Sequence, residues 1–99
     1  MPKKAYLVTQ YQSIAKPDVM PDYAKIAGPA LLSYGGRFLV RGLPAKTYES
    51  GKMQRTVVIE FPSLEKAIAA FEGPEYAKAL AVLGKDAAVR DVRIVEAAE

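Results

Sequence analysis

Cysteine, histidine, tryptophan and asparagine are all absent from this 99-residue chain. Without cysteine there is no disulfide, no thiol nucleophile and no thiolate metal site. Without histidine there is no Ser-His-Asp triad, no His-bound haem iron and little from which to build a zinc site. Long apolar runs are missing as well. No stretch approaches the roughly 18 residues that a membrane span needs. The opening Met1-Pro2-Lys3-Lys4 leads into Ala5–Tyr11, which is too short and too polar for a secretory core. Cytoplasm is the expected compartment, and the lack of cysteine fits it.

The composition that remains is that of one folded domain covering residues 1–99. Hydrophobic residues make up 51% and charged residues 25%, which are ordinary globular values. Fourteen Lys and Arg face eleven Asp and Glu, for a net charge of +3, and they are scattered along the chain. Scattered charge makes a solvated mixed surface, whereas a nucleic-acid site needs a cluster. Neither a nucleic-acid partner nor a membrane partner is expected.

Hydrophobic spacing gives the elements. Ala5–Gln12 reads as a strand, with Tyr6, Val8 and Gln10 on one face and Leu7, Thr9 and Tyr11 on the other. From Pro17 to Tyr34, Met20, Tyr23, Ile26, Ala27, Ala30, Leu31 and Tyr34 step by three and four, so they form a helical stripe. Gly28-Pro29 predicts a kink or break within it, because proline lacks the N–H and clashes one turn back. Gly35-Gly36 ends the helix. Arg37–Gly42 is a second strand, in which strict alternation puts Arg37, Leu39 and Arg41 on one face. Leu43-Pro44 disrupts it, with a resumption at Lys46–Glu49 left open. Arg55–Phe61 is the strongest strand, with Val57, Ile59 and Phe61 on one side and Val58 and Glu60 on the other. Ser63 caps a helix whose stripe is Leu64, Ala67, Ile68 and Phe71. A short extra helix starts at Pro74 and closes at Gly84. Val89–Val95 is the last strand, and Glu96–Glu99 is a tail. Strand, helix, strand, strand, helix, strand is the order of an α+β, ferredoxin-like βαββαβ fold with an antiparallel sheet.

Helices cover only one side of such a sheet. Here neither strand face reads as fully polar, so a monomer is expected to leave an apolar patch on the uncovered side. A second copy packed sheet to sheet buries it, and a homodimer is expected. The alternative is that the short helix and the tail cover that face.

All five arginines, at positions 37, 41, 55, 90 and 93, lie in or beside predicted strands. Arginine suits bidentate recognition of carboxylates better than lysine does. Even spacing puts Arg37 and Arg41 on one face, and Glu60 in an apolar strand is their expected partner. A carboxylate in such surroundings is a candidate acid or base. The expected pocket lies between sheet and helices, lined by Tyr34, Arg37, Arg41 and Glu60, with Glu60 and Arg41 as the candidate catalytic pair. It takes a small, anionic or oxygenated organic molecule, and no metal or cofactor is expected. The competing role for the same Arg–Glu pair is to fix strand pairing or the dimer, and this structural role is the favoured one. Tyr23, Tyr34 and Tyr76 read as core residues with hydroxyls at the edge. Gly35-Gly36 precedes a strand rather than a helix, so it is a turn and no phosphate cradle.

Three blocks carry a family resemblance. The segment from Tyr34 to Gly42 (Tyr-Gly-Gly-Arg-Phe-Leu-Val-Arg-Gly), the segment from Val57 to Ser63 (Val-Val-Ile-Glu-Phe-Pro-Ser) and Gly73-Pro74-Glu75-Tyr76 resemble, in the same order, the family known as domain of unknown function 1330. The likeness extends over nearly the whole chain. It implies a dimeric α+β barrel, in which two ferredoxin-like sheets face each other. Leu7 and Phe71 stand where relatives often carry tryptophan. Related barrels include cofactor-free monooxygenases, isomerases and dehydratases. Their usual helpers His, Asn and Trp are absent here, which weakens an oxygenase and still permits a metal-free isomerase or lyase. A non-catalytic dimer that binds a small ligand or a protein is the alternative. RNA binding is set aside, because Val57-Val58-Ile59 offers no aromatic platform.

Overall fold

Antiparallel pairing sets the architecture. The computed structural model describes residues 3–98. Its elements are β1 (Ala5–Ile14), α1 (Met20–Leu32), β2 (Arg37–Gly42), β3 (Thr56–Phe61), α2 (Leu64–Glu72), α3 (Pro74–Leu83) and β4 (Ala88–Glu96). The strands form one sheet in the order β2-β3-β1-β4, and every neighbouring pair is antiparallel. This is the expected ferredoxin-like arrangement, with α3 as the extra helix. Among the described residues no helix is long and apolar enough to cross a membrane.

Alternation on the two central strands sorts the side chains. Ala5, Leu7, Thr9 and Tyr11 of β1 are buried, as are Ile59 and Phe61 of β3. Leu7 pairs with Ile59 and Thr9 with Val57, so these residues share the face that meets the helices. Tyr6, Val8, Val58 and Glu60 point the other way, where no helix covers them. On that outer face Val40 and Val95 are about half exposed, at 47% and 51%.

The structure corrects several element expectations along the chain and decides one left open. The break at Pro29 does not occur, and α1 runs through it to Leu32. The lost hydrogen bond lies near the helix end, and burial of Tyr23, Ala27, Ala30 and Leu31 holds the helix together around it. A short 3-10 turn at Pro17–Val19 precedes α1, and the turn at Ser33–Gly35 replaces its expected last residues. The strand does not resume at Lys46–Glu49. That stretch stays irregular between Pro44 and a turn in which the Gly51 N–H donates to the Tyr48 carbonyl at 2.9 Å. The expected cap at Ser63 is present, its hydroxyl accepting from the Lys66 N–H at 3.2 Å. Glu99, the end of the expected tail, lies outside the described residues, and Glu96 belongs to β4.

Gly36 shows how tightly α1 hands the chain to β2. A Cβ at this position would stand 2.8 Å from the Leu31 carbonyl oxygen, 2.9 Å from the Phe61 ring and 3.1 Å from Ile59. Backbone and buried core residues block it, and neither can swing aside. Gly36→Ala is therefore expected to destabilise the protein by about 1–3 kcal/mol. A lower urea midpoint with an unchanged slope is the result to look for.

Candidate functional site

Helix α1 packs closely on α3 and shares the core with β1 and β3. Where it passes over the sheet it presents Ala24, Ala27 and Gly28, and these small residues leave a cavity of about 430 Å³. The sheet supplies the floor. Leu7, Val57, Ile59 and Phe38 make it apolar at one end, and Tyr11, Arg55 and Arg90 make it polar at the other.

The five arginines divide by face. Arg37 donates to Glu60 at 3.1 Å, and Arg93 forks onto Asp91 with two bonds of 3.0 Å. Both pairs lie on the outer face, where Arg93 stands opposite Val8 and Arg37 opposite Glu60. The other three, Arg41, Arg55 and Arg90, line the cavity. Among the described residues no Asp or Glu lines it, and no carboxylate pairs with any of those three.

Arg90 is anchored by two phenols. Its Nη1 donates to the Tyr23 hydroxyl at 2.9 Å and to the Tyr76 hydroxyl at 3.2 Å. The two hydroxyls also share a hydrogen bond with each other. Their rings meet edge to face, with centroids 6.1 Å apart. Burial pushes the Tyr23 hydroxyl well above the usual tyrosine range and the neighbouring Tyr76 adds to this, while Arg90 pulls down without prevailing. Burial works against the charge on Arg90, but the phenol oxygens prevail and hold the guanidinium above its ordinary value. The cluster is thus a set of protonated donors, two O–H and one guanidinium, facing an apolar space.

The raised Tyr23 value has a consequence at high pH. The unfolded chain releases the Tyr23 proton at its ordinary value of 10.0, while the folded chain keeps it. Above that pH the unfolded state binds fewer protons, so stability falls as pH rises. Urea midpoints are expected to drop between about pH 9 and about pH 11, and to drop less in Tyr23→Phe.

The structure places the four residues singled out in the sequence at three separate locations. Arg41 alone lines the cavity, with its guanidinium 4.4 Å from the centre of the Phe38 ring. Arg37 and Glu60 are paired on the outer face, and Lys4 stands 3.5 Å from the same carboxylate oxygen. Glu60 therefore sits among cations rather than in apolar surroundings. Tyr34 donates to Glu75 at 2.7 Å, which ties the end of α1 to the first turn of α3 and draws the Glu75 carboxyl below its ordinary value. The expected common face of Arg37 and Arg41 is corrected by a β-bulge. Arg37 pairs with Glu60 and Phe38 with Ile59, but Val40 pairs with Val58, so Leu39 is the extra residue. One inserted residue reverses the alternation and sends Arg41 to the inner face. Arg55, Arg90 and Tyr11 went unremarked as site residues in the sequence, and Tyr23 and Tyr76 were read as core only. Alternation with Val57 and Ile59 was the available signal for Arg55.

A family model for a domain of unknown function, DUF1330, matches residues 4–98. The chain belongs to the DUF1330 family. Solved structures agree on the fold. A protein of unknown function from Rhodopseudomonas palustris is 17% identical, with a TM-score of 0.70 over 100% of this chain and 85% of that one. SnoaB, a cofactor-independent oxygenase from Streptomyces nogalater, is 13% identical, with a TM-score of 0.66 over 98% of this chain and 95% of that one. A dimeric ferredoxin-like protein of unknown function from Thermobifida fusca is 16% identical, with a TM-score of 0.56 over 98% and 93%. At these identities the likeness is one of fold alone. No curated protein matches the DUF1330 chain.

Proposed function

We propose that this protein is a homodimer that binds a small organic anion in each subunit, between α1 and the sheet. The sorting of the arginines carries the proposal. Two of the five are paired with carboxylates on the outer face, and the three without a carboxylate partner among the described residues line one cavity. Arg55 and Arg90 are half-buried there while Arg41 is more open, and withdrawing a guanidinium from water is costly unless an anion answers it. The cavity, at about 430 Å³, lies within the usual ligand range of roughly 300–1,000 Å³. Its lining polar groups are chiefly donors, which suits holding an anion better than abstracting a proton. Glu60, the carboxylate expected to act as a base, belongs to the other face. Binding is therefore preferred here to a metal-free isomerase or lyase reaction. The half-exposed valines of the outer face support sheet-to-sheet packing of two copies, as does the fold shared with a dimeric neighbour.

Native mass spectrometry of freshly purified protein tests both halves. A dimer with a reproducible added mass on each subunit is the expected spectrum. Gly28→Phe is the matching variant. Nothing lies within 4 Å of a Cβ built at Gly28, which lines the cavity, so the new ring enters it. The added mass should vanish while the dimer persists. A bare monomer from the unaltered protein would sink the proposal.

A further inference from the structure

The polar groups gather at one end of the cavity. On the sheet floor Tyr11 stands between Arg55 and Arg90. The Tyr11 N–H donates to the Arg55 carbonyl at 3.0 Å on one side, and Tyr11 pairs with Arg90 on the other. Strands lie about 4.8 Å apart, so the two arginine Cα atoms are separated by roughly 10 Å across the Tyr11 ring. Both side chains line the same cavity, and the Arg90 guanidinium is 5.9 Å from the centre of that ring. Two long cationic side chains thus flank one aromatic ring on the floor of a single cavity.

Hydrogen counting sharpens this. Tyr23 and Tyr76 have two hydroxyl hydrogens, and one lies in the bond between them. The acceptor of that bond keeps its own O–H free to donate. Arg90 uses only Nη1 on the phenols, so its other N–H groups are also available. The end of the cavity therefore offers more charged and free donors than acceptors. An ionised carboxylate brings two oxygens in one plane, the match for a guanidinium edge. A phosphate ester adds further charge and a third oxygen beside the apolar Ile14, Pro17 and Met20, which offer them no partner. Away from Arg55 and Arg90, Leu7, Ile59, Leu31 and Phe38 form an apolar slot under α1, with the Arg41 guanidinium against the far side of it at Phe38.

Resting on the anion-binding proposal, we infer that the ligand is a monocarboxylic acid with an apolar, ring-sized body. Its carboxylate lies over Tyr11 between Arg55 and Arg90, and its body lies under α1 toward Leu7 and Phe38.

Isothermal titration calorimetry with four probes tests the class: 3-phenylpropanoate, its neutral amide 3-phenylpropanamide, phenyl phosphate and succinate. The carboxylate should bind about tenfold or more tighter than the amide. It should also outbind phenyl phosphate and succinate. Arg55→Gln and Arg90→Gln should each erase the advantage over the amide without weakening the amide itself. Lys66→Gln, exposed on α2 and away from the cavity, should change nothing. If Arg90→Gln fails to fold, the half-exposed Arg55 carries the comparison alone. Tightest binding of phenyl phosphate or succinate overturns the monocarboxylate class and leaves the anion proposal standing. Equal binding of acid and amide, or no binding of any probe to folded protein, overturns both.

Discussion

Tyr76→Ala is expected to lower the free energy of unfolding by about 3–5 kcal/mol. The side chain is only 2% exposed and is among the largest that are fully buried. Its ring packs against Phe71 at 4.9 Å and meets Tyr23 edge to face, so it joins α3 to both α2 and α1. Truncation leaves a void between three helices that their backbones cannot close. A domain of this size has only about 5–15 kcal/mol in total, so the variant is expected to be marginal at room temperature. Tyr76→Phe separates packing from hydrogen bonding. It keeps the ring and removes one hydroxyl, while Tyr23 retains its bond from Arg90. Its cost is expected to be about 1 kcal/mol. Urea unfolding followed by circular dichroism measures both. Equal losses in the two variants would mean that the hydroxyl network, not the ring, holds the helices together.

Much of the fold was legible because burial writes itself into alternation. Leu7, Thr9 and Tyr11 against Tyr6, Val8 and Gln10, and Val57, Ile59 and Phe61 against Val58 and Glu60, divide in the sequence as they do in the sheet. The Ser63 cap and the start of α3 at Pro74 follow from local chemistry that tertiary packing did not override. The site was less legible, and one residue explains much of that. The bulge at Leu39 depends on how β2 pairs with β3, and β2 alone carries no sign of it. Strict alternation therefore joined Arg37 to Arg41, where the sheet separates them. The Tyr23–Tyr76–Arg90 cluster was hidden for a different reason. Its members come from α1, α3 and β4, and they are brought together only by the packing of α1 on α3. Helical spacing identified both tyrosines as buried, which is correct, but it says nothing about where their hydroxyls point. The pairing of Arg37 with Glu60 was read correctly as a contact, and the structural role favoured for it agrees with its place on the face away from the cavity.

Arg90→Met should do the reverse of Tyr76→Ala: remove anion binding and leave stability within about 1 kcal/mol of the unaltered protein, or above it. Arg90 contributes hydrogen bonds from a charged donor, worth about 1.5–3 kcal/mol, to Tyr23 and Tyr76. Against that stands the cost of holding a guanidinium partly out of water with no carboxylate beside it, an effective penalty of several kcal/mol for a buried ion. Methionine fills similar space with an apolar chain, and the two tyrosines still bond to each other once Arg90 is gone. The two contributions oppose each other, so the net change in stability is expected to be small. On the proposed reading, a cation that contributes little to folding, beside Arg55 and a cavity of ligand size, serves the ligand. Parallel measurements decide the matter: urea unfolding for stability, and calorimetry with 3-phenylpropanoate for binding. Stability retained with binding lost by about tenfold or more assigns Arg90 to the ligand. A stability loss beyond about 2 kcal/mol would instead make Arg90 a strut between α1, α3 and β4, since the bonds to Tyr23 and Tyr76 would then outweigh the cost of burying the charge.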